Sequence, residues 1–291
     1  MSAKERFPLQ GVIGVVANSI DEITLAAQKN LQCVELRADL LLDAGLTLDQ
    51  VLATIDQAKQ NNLASLFTLR YPSHGGKFSG TEEERAAINR QALAAGADII
   101  DLEWNTEAAA TMLSESAPLI LSYHDFNDMP DDQTLTDLTR DMEAAGSLAI
   151  KVVPTASCLG DSARMLQWAG NATEDTVRIG FAMGKSGASS RILTIAHGAP
   201  ITYASFGEAV APGQVAIDDL LDVYRAMALD SQSTLVAVIG NDNKAESIAH
   251  KLNLEFQNEG SNYVAIGFTP EQLNDLQVNR EIFNLRDIRD A

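Results

Sequence analysis

The chain has 291 residues, 46% of them hydrophobic, and a formal net charge of −19. That apolar content excludes a disordered or disulfide-stapled chain, and the length suits one large domain, such as a single α/β barrel, or two small ones. The acidic charge excludes nucleic acid as a partner, because phosphates would be repelled, and an anionic ligand would need its own cluster of arginines.

The candidate strands are GVIGVVA (11–17), CVELRADL (33–40), SLFTLR (65–70), DIIDLEW (98–104), PLILSYHDF (118–126), LAIKVVP (148–154), VRIGFAM (177–183) and ITYAS (201–205). Helical patterns lie between them, among them DEITLAAQKNL, LDQVLATIDQAKQ, EEERAAINRQALAAG and DQTLTDLTRDMEAAG. Gly96 and Gly146 stand where helices stop. Strict β–α alternation demands crossover helices and hence parallel pairing, and eight such units close a (β/α)8 TIM barrel. An open doubly wound sheet would usually carry a glycine-rich loop after its first strand, and VVANSID has none.

After IDDLLDVYRAM (217–227) the pattern changes. DSQS (230–233) reads as a linker, followed by a strand at TLVAVIGN (234–241), a helix at KAESIAHKLNL and a strand at SNYVAIGF. The chain therefore divides into a barrel, 1–228, and a small α/β extension, 229–291. So short an extension cannot hold a large core alone and is expected to pack on the barrel or on a second subunit. The two cysteines, Cys33 and Cys158, are expected as buried thiols in a reducing cytoplasm. No run approaches 18 uncharged apolar residues, and MSAKERFPLQG lacks the apolar stretch of a signal peptide, so no membrane association is expected.

In a barrel the chemistry gathers at the C-terminal strand ends. Glu35 and Arg37 share a face of strand two, Arg70 ends strand three, and Asp101 and Glu103 share a face of strand four. His124 ends strand five, Arg191 follows strand seven in MGKSGASSR, and Gln214 lies in APGQ after strand eight. Each has an ordinary explanation taken singly: Glu35 with Arg37 as a buried ion pair, Asp101 as a loop cap, Gln214 as a helix start. Burying all of them at one barrel end without a use is costly.

Lys151 sits in the middle of the β-branched run LAIKVVP. Lysine is almost never fully buried unless something pairs with it or uses it. Held among apolar side chains, its amine is desolvated, which favours the neutral, nucleophilic form, and a neutral amine attacks a ketone to give a Schiff base. His124, one strand away, can move protons near neutral pH. Arg37, Arg70 and Arg191 would hold an anionic, hydroxylated substrate. These residues point to a Schiff-base lyase for a keto acid.

ELRADLL (35–41), FTLR (67–70) with Gly75-Gly76, DLEW (101–104) and SYHDF (122–126) resemble, in order, motifs of the type I 3-dehydroquinate dehydratases. IKVVP (150–154), MGKSGASSR (183–191) and APGQ (211–214) continue the resemblance, which covers roughly residues 10 to 227. It implies a lyase that dehydrates 3-dehydroquinate to 3-dehydroshikimate in the shikimate pathway, toward chorismate and the aromatic amino acids. It also implies a cytoplasmic homodimer needing no metal or cofactor. By this resemblance Lys151 forms the Schiff base and His124 is the general acid/base. Glu35, Arg37, Arg70, Arg191 and Gln214 hold the substrate's hydroxyls and carboxylate, with Asp101 and Glu103 behind them.

Two positions depart from the family pattern. The family usually has glutamate before the paired glycines, where this chain has His74, an imidazole that can also accept a proton and so joins Lys151 and His124 as a catalytic candidate. Before APGQ the family usually has Ser or Thr, where this chain has Val210, and the lost hydrogen bond predicts weaker substrate binding. The tail TLVAVIGN…ESIAHKLNLEF…NYVAIGFTPEQLNDL is similar to the opening of shikimate dehydrogenase. It lacks the Ser-x-Ser substrate motif, and no dinucleotide-binding segment follows within the chain, so dehydrogenase activity is not expected. Two rivals stand beside this reading. A class I aldolase or transaldolase would bind a sugar phosphate near MGKSG, but three strand-end arginines favour a carboxylate. A non-catalytic relic would have little use for both Lys151 and His124.

Overall fold

The computed structural model describes residues 3–207 and 211–291. Eight parallel strands follow one another in space as in the chain: β1 (Gly11–Val16), β2 (Cys33–Arg37), β3 (Ala64–Thr68), β4 (Ile99–Glu103), β5 (Leu119–His124), β6 (Ala149–Val153), β7 (Arg178–Gly180) and β8 (Ile201–Ser205). Because β1 also pairs with β8, the sheet curls into a (β/α)8 TIM barrel. The curl closes indirectly. A two-residue strand, β9 (Val215–Ala216), takes the outer edge of β8, and no ladder joins β7 to β8 among the described residues. The Gly184 amide donates to the Pro212 carbonyl at 3.3 Å, and the rings of Phe181 and Tyr203 meet across the seam with centroids 5.7 Å apart.

Period-two alternation sorts each strand between two environments. Ile13, Cys33, Leu66, Ile99, Ile120, Ala149, Ile179 and Ile201 point inward and, joined by Phe7 and Leu9, make the barrel's apolar interior. Val12, Val34, Leu36, Phe67, Ile100, Leu121 and Val152 belong to the layer between strands and helices. Two residues beyond Cys33, Leu66, Ile99, Ile120 and Ala149 along the same inward rows stand Glu35, Thr68, Asp101, Ser122 and Lys151. The apolar floor thus gives way to a polar storey.

Several helices begin where a side chain caps them. Thr47 and Thr81 each form a capping box, opening Leu48–Gln60 and Glu82–Ala95, and Gly96 ends the latter at φ +101°. Strand two stops at Arg37 rather than running to residue 40. Ala38–Asp43 turn directly into helix, and Asp39 folds back to receive the Arg37 guanidinium. After β9 the chain makes one wide turn, Asp219–Val223, closed by the Tyr224 amide on the Asp219 carbonyl at 2.8 Å. Cys33 is buried, and burial pushes its thiol up to about 12. Cys158, expected to be buried, is exposed: it stands just ahead of helix Leu159–Gly170, outside that helix's buried face.

The extension is a three-stranded parallel sheet, with β10 (Thr234–Ile239) between β11 (Tyr263–Phe268) and β12 (Leu285–Asp290). Val236, Val238 and Ala265 pack under helix Asp242–Glu259 through Ala245, Ala249 and Phe256. The opposite face, including Leu235, Ala237, Val264, Ile266 and Phe268, merges with the barrel's outer layer in one apolar cluster. Polar clasps lock the contact. Asp275 accepts from the Leu159 and Gly160 amides at 3.1 and 3.3 Å, and the His197 ring meets the Ile282 carbonyl at 2.6 Å. DSQS is a hydrogen-bonded turn rather than a slack linker, with Asp230 receiving the Ser233 hydroxyl and the Asn262 amide. Among the described residues no helix is long and apolar enough to cross a membrane.

Candidate active site

Lys151 occupies the centre of β6 and is 4% exposed. Its Nζ lies 2.5 Å from Asp101 Oδ2 and 4.8 Å from the centre of the Tyr203 ring. The amine expected among apolar side chains alone is instead half of a buried ion pair, because the inward row of β4 brings Asp101 to the same level. The other Asp101 oxygen accepts from the Ser122 hydroxyl at 2.6 Å and from Arg70 Nη2 at 2.7 Å. Burial raises the Asp101 carboxyl, but the charges of Arg70 and Lys151 outweigh it and hold the group well below the usual carboxylate range. Burial likewise disfavours the charged Arg70, and Asp101 and Glu103 more than compensate. Glu103 receives Arg70 Nη1 at 3.3 Å and is paired on its other oxygen with the fully buried Arg85.

His124 ends β5, two residues beyond Ser122, which is the register partner of Lys151. Its Nδ1 lies 3.2 Å from Arg70 Nη1. A guanidinium has only donors, so Nδ1 accepts and the neutral ring carries its proton on Nε2. Burial, reinforced by the charges of Arg70 and Lys151, pushes His124 well below the ordinary imidazole value. The ring is therefore neutral at pH 7, stacked near Phe126 with centroids 6.3 Å apart.

Glu35 and Arg37 do not pair with each other. Side chains two apart on a strand stand side by side along a rise of about 7 Å, and each finds a nearer partner. Thr68 donates to Glu35 at 2.8 Å, and Arg37 grips Asp39 through two bonds of 2.9 and 2.8 Å. Arg191, on helix Ala188–Leu193, differs from the other two arginines. Its guanidinium lies over the Phe181 ring at 4.5 Å, Nη2 reaches the Pro212 carbonyl at 3.4 Å, and Nε has no partner. No carboxylate pairs with it among the described residues, and burial lowers it to about 10. A buried cation in that state is prepared for an incoming anion.

His74 ends the turn Pro72–His74, and its Nδ1 is buried without a partner. A Cβ at Gly76 would stand 2.1 Å from the Arg70 carbonyl oxygen, so only glycine lets this turn lie so close to β3. Gln214 follows Gly213, whose φ of +71° and closeness to the Gly184 carbonyl admit no side chain. Lys151, His124, His74, Glu35, Arg37, Arg70, Arg191 and Gln214 all border one cavity of about 640 Å³, part of it open to solvent. Asp101 and Glu103 stand behind it, and Val210 lies outside the described residues. The sequence reading missed Thr68, Ser122 and Tyr203, which the alternation places on inward rows, and Asp39.

A sequence profile of the type I 3-dehydroquinases matches residues 12–231. The chain belongs to the type I 3-dehydroquinase family. A 3-dehydroquinate dehydratase from Dehalococcoides mccartyi is 31% identical over 204 residues, covering 68% of this chain and 87% of that protein. The bifunctional 3-dehydroquinate dehydratase/shikimate dehydrogenase of Arabidopsis thaliana is 32% identical over 237 residues, covering 78% of this chain. The match spans only 38% of the Arabidopsis protein's length. The solved dehydroquinate dehydratase and shikimate dehydrogenase of S. pombe superimposes over 99% of this chain and 57% of its own, with a TM-score of 0.61 at 20% identity. At that identity the likeness is one of fold.

Proposed function

We propose that this type I 3-dehydroquinase eliminates water from 3-dehydroquinate to give 3-dehydroshikimate, the dehydration step of the shikimate pathway, through a Schiff base on Lys151. The observation that carries the reading is the buried Lys151–Asp101 pair, set beside a neutral His124 and facing an unpaired Arg191 across one cavity. Arg191 takes the substrate carboxylate, Glu35 and Arg37 take ring hydroxyls, and Gln214 closes over them. Nζ, having surrendered a proton, attacks the ketone carbon, and the ketone oxygen leaves as water. The iminium carries one positive charge, as the ammonium did, so Asp101 faces the same charge before and after.

The iminium draws electrons from the adjacent carbon, whose proton passes to a neutral imidazole. The electrons left behind expel the hydroxyl on the next carbon as a second water, and hydrolysis of the imine returns the amine and releases the enone. His124 can accept that proton only when Nδ1 is vacated, which happens as Arg70 turns from it to the substrate. His74 borders the same cavity with an unsatisfied ring nitrogen and assists the exchange. A cytoplasmic homodimer is proposed as part of the same reading. The extension is proposed to brace the barrel, supported by the shared apolar cluster.

Ultraviolet absorbance of the conjugated enone, followed after adding 3-dehydroquinate, tests the activity. Borohydride added during turnover should link substrate to the wild type and not to Lys151→Ala, with mass spectrometry as the readout. A folded wild type giving no enone and no adduct would overturn the proposal.

A further inference from the structure

Tyr203 borders the cavity from β8, and the chemistry above makes no use of it. Its ring packs against Phe181 and turns a face toward Lys151 Nζ at 4.8 Å. Phenylalanine would do both. What phenylalanine lacks is the hydroxyl, and that oxygen is buried with no hydrogen-bond partner. A buried hydroxyl left unpaired destabilises the empty protein, so its presence in a site wall calls for a ligand atom to complete it. Burial, then the nearby carboxylates of Glu35 and Asp101, push the phenol well above its ordinary value, so it stays protonated and can donate.

Glu35 supplies the complementary half. It borders the same cavity and receives Thr68 on Oε1, while Oε2 is an acceptor with no partner among the described residues. One acceptor and one donor bordering the same cavity match the two needs of a hydroxyl group, which gives one hydrogen bond and receives another. We infer that the Tyr203 hydroxyl donates to a ring hydroxyl oxygen of the substrate whose own proton is given to Glu35, making Tyr203 a specificity-determining residue. This rests on the dehydratase reading. A site built to pair a substrate hydroxyl rejects the analogue without it, because its own buried groups are then stranded.

The test is Tyr203→Phe beside the wild type, with initial rates on 3-dehydroquinate and thermal unfolding of the ligand-free proteins. The variant should show KM raised roughly five- to tenfold, the loss falling on KM more than on kcat, as one neutral hydrogen bond implies. Its melting temperature should match or exceed the wild type's, since an unpaired buried hydroxyl has been removed. In a series of analogues each lacking one ring hydroxyl, one should erase the KM difference between the two proteins. An unchanged KM overturns the assignment, as does a lower melting temperature with KM unmoved, which would give the hydroxyl to the fold. A wild type without turnover overturns the dehydratase reading and this assignment with it, whereas wild-type turnover with an indifferent variant overturns this assignment alone.

Discussion

Asp101→Asn is the sharpest test of how the site is held together. Asp101 is 1% exposed and receives Lys151, Ser122 and Arg70 at 2.5, 2.6 and 2.7 Å. Asparagine keeps the volume and one acceptor oxygen, but its amide nitrogen would point a donor at a cation. Breaking a buried ion pair by removing one partner costs about 3–5 kcal/mol, because the other charge is left uncompensated. Arg70 would keep Glu103, so only Lys151 is stranded, and the loss should fall near the lower end, about 3 kcal/mol. With a urea slope of about 3 kcal/mol per molar, the unfolding midpoint should drop by about 1 M at pH 7. The Asp101 carboxyl is depressed in the folded protein relative to an unfolded value of about 3.9. Its contribution is therefore complete above about pH 5 and is lost as pH falls toward the folded value. The gap between wild type and variant should stay constant from pH 5 to 8 and narrow below pH 4. A midpoint shift under about 0.3 M, or a gap that widens in acid, would refute the reasoning.

Arg191→Met removes a buried cation that has no carboxylate. Ligand-free protein should melt higher, while KM for the anionic substrate should rise about 10- to 100-fold in steady-state assays, and a lower melting temperature would contradict this. Because His124 is held well below the ordinary imidazole value, its own titration should put no bend near 6.5 in kcat/KM between pH 8 and pH 6; a break there that persists in His74→Ala would count against a neutral His124. Removing residues 229–291 uncovers the apolar outer layer of the barrel against which Leu235, Val264 and Phe268 pack. The shortened protein should lose stability in urea titration while retaining turnover, and a folded but inactive barrel would sink the bracing role.

Most of the barrel was legible because its strands are short apolar runs that alternate with amphipathic stretches. Leu48–Gln60 was read to the residue, and the structure opens it with a capping box at Thr47. β7 was not: VRIGFAM pairs continuously over only Arg178–Gly180, then rejoins the sheet at an isolated bridge between Met183 and Thr155, with Phe181 and Met183 bordering the site. β12 was invisible because LRDIRD is a charged edge strand with one buried residue and no clean alternation. The strand-end charges were legible as a site because nothing else explains so many at one barrel end. Their supports were not, since Thr68, Ser122 and Tyr203 are unremarkable as strand residues until the closed sheet sets them beside the charges. Asp39 was missed for a different reason. Reading strand two through to residue 40 hid the turn that brings Asp39 back onto Arg37.

The clasp by Asp275 has a consequence for how the chain is made. Helix Leu159–Gly170 follows the strand that bears Lys151, and its first two amides find their carboxylate more than a hundred residues later in the chain. On a ribosome all eight barrel strands are synthesised before Asp275 is. The barrel's final packing is then settled by a contact of high sequence separation, which forms late and slowly. A nascent chain stalled between Ser205 and Asp275 should be open to protease near Leu159, and release of the remaining residues should close that window.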